Sequence, residues 1–194
     1  MQKPNNYDNT QASGDFTPVT PGGHHLIIKK VEESKTKGGK DMIIVAFDMA
    51  SGDSQPNYFS TMFANDIRPN KKWPRLGRQY IVTEDADGNC SRSFKTFITS
   101  VEKSNSGFQT TWGDAFASQF KGKRIGGVFG LVENEYNGKV TKRCELRWFC
   151  DDAKADGANV PDPKLLPNTN KTVGIPDSNG FMSVSDSDDE EVPF

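Results

Sequence analysis

The sequence is short of the residues that most enzyme sites and covalent scaffolds require. It has three cysteines and two histidines in 194 residues. Three is an odd number, and Cys90, Cys144 and Cys150 show no Cys-x-x-Cys spacing. Neither a disulfide framework nor a zinc site is expected, and free thiols fit a reducing cytoplasm. His24 and His25 are adjacent. On a strand their rings point to opposite faces, which makes no triad and no paired ligand set. The Gly-x-x-x-x-Gly-Lys-Ser/Thr pattern of a phosphate-cradling loop does not occur. Neighbouring acids such as Glu32-Glu33 and Asp151-Asp152 have poor geometry for acid–base work. No enzymatic activity, cofactor or metal is expected. No apolar run approaches the ~18 residues of a membrane span, and the polar start lacks the apolar segment of a signal peptide. The expected location is the cytoplasm, with no membrane partner. Hydrophobic residues make up only 34% of the chain, which with glycine added still falls short of the roughly 45–50% of a typical globular domain. One core is expected, with part of the chain outside it.

The net charge of −2 hides an uneven distribution. Residues 20–150 carry 20 Lys and Arg against 14 Asp and Glu, whereas residues 151–194 carry 3 against 10. A basic body suggests a polyanionic partner. An acidic end suggests a protein partner, or a mimic of that polyanion.

Residues 1–20 are polar and read as a flexible arm. Residues 25–31 and 42–49 are rich in Ile and Val and read as a hairpin around the basic loop 34–40. Residues 58–63, Tyr-Phe-Ser-Thr-Met-Phe, read as a third strand. A long polar segment, 65–91, follows, with a small strand at 79–82. Phe94, Phe97, Ile98 and Val101 then fall at i, i+3, i+4 and i+7, one face of a helix, with Ser93 placed to start it and Asn105 or Gly107 to end it. Residues 114–120 add a helical turn. Strand character returns at 124–135 and 139–150 around Asn137-Gly138, the strongest short-range hairpin signal. In the last strand Val140, Lys142, Cys144, Leu146 and Trp148 alternate against Lys139, Thr141, Arg143, Glu145, Arg147 and Phe149. Phe47, Phe94, Phe97, Phe129 and Trp148 are expected in the core. The fold class is mainly β. A five-stranded barrel with a helix between strands three and four has the order of the OB-fold. Residues 21–150 form that domain, 151–185 a Pro/Asn/Asp-rich linker, and 186–194 a disordered acidic tip.

Binding of single-stranded nucleic acid needs cations to follow the phosphates and aromatic faces for unpaired bases, each stacked base contributing ~1–3 kcal/mol. The sequence interleaves both. The candidates are Lys35, Lys37 and Lys40 in the first loop, and Tyr58, Phe59 and Phe63 on the expected third strand. Arg68, Lys71, Lys72, Trp73, Arg75, Arg78 and Tyr80 lie in the long segment. Tyr136, Lys139, Lys142, Arg143 and Arg147 lie on the last hairpin. Trp73 sits among basic residues with no local apolar neighbour, which favours stacking on a base.

The C-terminus adds a second kind of site. Asp186, Asp188, Asp189, Glu190 and Glu191 precede Val192, Pro193 and Phe194. One ring can enter a pocket while the carboxylates meet a basic rim. This end closely resembles the acidic tip of bacterial single-stranded DNA-binding proteins. The body, over residues 21–150, is similar to phage-encoded members of that class in its Gly-Gly-His-His start at 22–25, its Ser-Lys-Thr-Lys-Gly-Gly-Lys loop at 34–40 and its segment 94–108. The resemblance implies sequence-independent coating of single-stranded DNA in replication, recombination and repair. It also implies recruitment of the enzymes of those processes by the tip, in a host bacterial cytoplasm. The long segment 65–91 departs from the shorter tetrameric bacterial domain and leaves the oligomeric state open. The residues alone leave two alternatives: an RNA-binding OB protein of cold-shock type, and a protein–protein adaptor.

Overall fold

A computed structural model describes residues 2–5, 7 and 17–166. The acidic tip at 186–194 and positions 167–185 of the linker lie outside the described residues. Five strands form one antiparallel sheet: β1 (Gly22–Lys35), β2 (Asp41–Met49), β3 (Arg78–Val82), β4 (Arg124–Tyr136) and β5 (Lys139–Cys150). Their order across the sheet is β3-β2-β1-β4-β5. Two helices, α1 (Tyr58–Asn65) and α2 (Arg92–Ser104), complete the body. Among the described residues no ladder joins β3 to β5, so the sheet is not closed. It is nevertheless curled. Phe47 of β2 meets Phe149 of β5 edge-to-face at 5.9 Å, although β1 and β4 lie between their strands. Helix α2 packs against β3, β4 and β5, bridging the two sheet edges.

The core lies inside the curl. Leu26, Ile28, Val45, Phe47, Ile125 and Phe129 from the sheet meet Phe97 and Val101 of α2, all essentially inaccessible. Ser91, not the expected Ser93, caps α2: its side chain accepts from Phe94 N, and Ser93 lies inside the first turn. The Asn137-Gly138 turn adopts positive φ at both positions, 50° and 75°, as a two-residue hairpin demands.

The expected third strand is helix α1 instead. Tyr, Phe and Thr give residues 58–63 strand propensity, but Phe59, Met62 and Phe63 also fall at i, i+3 and i+4. Tertiary contacts decide between the two: Phe59 is fully buried, edge-to-face with Phe47 at 5.6 Å. The third strand is the short segment Arg78–Val82, and the helix between strands three and four remains in place as α2.

Two bulges re-aim side chains. In β1, Ile28 pairs with Phe47 and Lys30 with Ala46, leaving Lys29 as the extra residue. In β5, Val128 faces Trp148 while Phe129 faces Leu146, leaving Arg147 extra. The second bulge overturns the expected alternation. Phe149 is buried with Leu146, and Trp148, expected in the core, is 46% exposed.

Residues 151–166, read from the sequence as unstructured linker, pack on the body. Ala155 is buried, Lys164 bridges to Val132 of β4, and the guanidinium of Arg147 donates to the carbonyl of Asp162. At the other end of the body, Val19 is buried although it falls in the segment read as a flexible arm.

Both histidines tie segments to β1. His24 is buried, with Nδ1 2.9 Å from Asp53 Oδ1 and Nε2 2.9 Å from the carbonyl of Thr20. Burial opposes its charge, but these acceptors outweigh burial and raise its pKa. His25 lies 2.8 Å from Asp152 and 3.0 Å from Asp156, and the Asp152 hydrogen bond leads in raising its pKa. Both folded values exceed the ordinary ~6.5, so this stabilisation is complete below ~6.5 and is lost as pH rises through the raised values. The melting temperature is therefore expected to fall as the pH rises above about 6.5. A calorimetric melt that is flat or rising over that range overturns the assignment. Asp53 has the opposite sense. Burial works against its ionisation, yet His24 and the amides of Gln55 and His25 hold its pKa low, so its contribution is lost only as acid titrates it.

Candidate nucleic-acid interface

The outer face of β1, β2 and β3 carries a groove of about 380 Å³. Two cross-strand rows lie beneath it, and all of their residues but Tyr80 line it. Lys30, Ala46 and Arg78 form one, and Glu32, Ile44 and Tyr80 the next. The β1 bulge leaves Lys29 and Lys30 side by side and exposed along one wall. The opposite wall is the chain after α1, with Lys71, Lys72 and Trp73, together with Phe63 of α1 itself. Tyr80 shares the face through its pairing with Ile44 and is 37% exposed.

Trp73 has apolar neighbours, contrary to the sequence expectation. Its indole N–H is placed to donate to the carbonyls of Phe47 (3.2 Å) and Gly77 (3.0 Å). Its ring packs on Phe63, with centroids 5.6 Å apart. Gly77 makes room for it, since a Cβ there would stand 2.7 Å from the indole nitrogen and 2.8 Å from Phe59. Trp73 is thus a fixed wall of the groove. Lys71 lies over the Phe63 ring, 5.0 Å from its centroid.

The groove is cationic. Lys30 is paired with Glu32, and Lys29 reaches to 4.0 Å from Asp48. Among the described residues no ion pair engages Lys71, Lys72 or Arg78. The Nε of Arg78 is buried and has no acceptor among the described residues. A buried donor without an acceptor is costly.

The other predicted residues lie elsewhere. Phe59 is in the core, where no base can reach it. Tyr58 is half-buried, and burial pushes its phenol up to about 12. Arg68 and Arg75 lie beyond Phe63 in a neighbouring depression. Lys35 pairs with Asp41 at 2.6 Å and Lys40 donates to the carbonyl of Asp85, while Lys37 is exposed at the loop tip. On the β4–β5 hairpin, Tyr136 pairs with Lys139 and Arg143 with Val132 on one face. Lys142 is on the other, 3.4 Å from Glu133. Arg147 holds residue 162. None of these lines the groove.

Sequence reasoning missed Lys29, Lys30 and the exposed Trp148. A signal was available. The buried apolar residues step by two along β1, at Leu26 and Ile28, then by three to Val31. That step marks the bulge. Among the described residues no helix is long and apolar enough to cross a membrane. No protein-family model matches the chain, and no curated protein matches it.

Proposed function

We propose that this protein binds single-stranded DNA without reading its sequence, along the outer groove of β1–β2–β3. The observation that carries the reading is the groove itself: Lys71, Lys72 and Arg78, in no ion pair among the described residues, next to Phe63, Trp73 and Tyr80. The cations suit phosphates, and the rings offer faces to unpaired bases. We read the curled sheet, with α2 after β3, as an OB-type barrel open between β3 and β5. In this reading the protein coats single strands in phage replication, recombination and repair inside a bacterial cytoplasm. Its acidic tip then recruits the enzymes of those processes, with Phe194 as anchor and the carboxylates meeting a basic rim.

Trp73 is the natural reporter, because Trp112 and Trp148 lie away from the groove. In a Trp112→Phe/Trp148→Phe variant, oligo-dT is expected to quench the remaining fluorescence, and duplex DNA of equal length to do so poorly. With three to five groove cations on phosphates, log affinity should fall with log salt at a slope between about −2 and −3.5. Absence of binding in fluorescence and in a gel shift at low salt would overturn the reading in favour of an adaptor. Tighter binding to matched RNA would redirect it to RNA.

A further inference from the structure

On the far side of Phe63 lies a second depression of about 380 Å³, between α1 and the turn Arg75–Gly77. Its floor is apolar: Met62, Phe63, Pro74 and Leu76. Its rim is cationic, with Arg68, Lys72 and Arg75. The Asp66 carboxylate at the rim is already engaged by Arg68, at 2.9 and 3.0 Å. Ile67, between these two in sequence, is 97% exposed. Phe63 and Lys72 belong to both depressions. A phosphate has no partner on the apolar floor, and a detached apolar ligand has no use for the cationic rim. A nucleotide suits both.

We infer that this depression holds one unstacked base of the strand lying in the groove, with Lys72 on the phosphate between them. The inference rests on the single-strand reading above. A strand passing Lys72 can turn one base behind Phe63 while its neighbours stay on the sheet face. The Phe63 ring then separates that base from the next. The apolar floor accepts any base, so the pocket adds affinity without sequence preference. The volume lies near the low end of small-ligand sites, roughly 300–1,000 Å³, and the open rim lets the sugar and phosphate remain in water.

The test compares oligo-dT with an abasic strand of the same phosphate count, on the full chain. The ratio of the two affinities measures what the bases contribute. Leu76→Trp fills the depression, and the ratio is expected to drop about tenfold, one base's stacking. A ratio unchanged from wild type, in a variant that melts normally, overturns the pocket and leaves the groove standing. Photocrosslinking of the wild-type protein to 5-iodouracil strands decides the matter even if that variant fails to fold. Crosslinks to Met62 or Leu76 support the pocket, and crosslinks confined to Trp73 and Tyr80 overturn it. If wild type binds neither strand, both readings fall.

Discussion

Lys71→Glu combined with Lys72→Glu is expected to weaken oligo-dT binding at low salt about a hundredfold or more. Each reversal removes one attraction to a phosphate and adds one repulsion. A unit charge ~4 Å from another contributes about 1 kcal/mol even at the dielectric constant of water, and more against a protein surface. Two reversals therefore cost about 3–4 kcal/mol. Both side chains are exposed, so stability should stay within about 0.5 kcal/mol of wild type. The same change at Lys139 and Arg143 provides the contrast. Those cations have equal charge and lie on the β4–β5 hairpin, outside the groove. Less than threefold loss is expected from them by long-range field alone. Isothermal titration at about 50 mM salt, well inside the steep range of the salt dependence, measures both variants. A larger loss from the hairpin pair than from the groove pair moves the binding face to the other end of the sheet.

That contrast also shows what the sequence could disclose. Elements fixed by local rules were readable. Asn137-Gly138 turns because both residues tolerate positive φ, and α2 is marked by its apolar spacing, although its cap is Ser91 and not the expected Ser93. Elements fixed by remote partners were not. Residues 58–63 have the composition of a strand and become helix because Asp48 and Phe47, ten or more residues away, receive them. The site shows the same division. The basic and aromatic content of residues 68–80 pointed to a binding surface, and Phe63, Lys71, Lys72, Trp73 and Arg78 do come together. The loop and hairpin lysines carry the same charge in sequence, but the chain directs them elsewhere. The bulges mattered most. A single extra residue reverses which face every later side chain takes, and this placed Lys29 at the groove and Trp148 in solvent. The three-residue steps from Ile28 to Val31 and from Leu146 to Phe149 record both bulges in the sequence, provided the buried set is known.

Asp48→Ala is expected to destabilise the fold by about 3 kcal/mol or more, because several buried hydrogen bonds lose one acceptor at once. The carboxylate is fully buried. Its Oδ1 accepts from the amides of Phe59 (2.9 Å), Ser60 (3.3 Å) and Met49 (3.0 Å), and its Oδ2 accepts from the Ser60 hydroxyl. Helix α1 has no cap of its own. Asn57 precedes it in a left-handed conformation and makes no side-chain capping bond. The first amides of α1 are therefore satisfied from β2, across the outer face of the sheet. A helix of eight residues cannot form without such support. Asp48→Asn keeps an acceptor oxygen in the same place, so its cost should be nearer 1 kcal/mol. Urea melts of the two variants separate a capping role from mere burial. Equal costs for alanine and asparagine would dismiss the capping account. The consequence for binding follows from position. Helix α1 carries Phe63, which lines both groove and depression, and Met62, which lines the depression. Amides of residues 59–63 should exchange hydrogen faster in Asp48→Ala than in wild type, and the affinity for oligo-dT should fall more than the affinity for an abasic strand. Lys71 and Lys72 belong to the chain that follows α1 and keep their charge, so the phosphate attraction persists while the aromatic wall is lost. Loss of affinity for both strands in equal proportion would show that α1 holds the cations as well as the rings.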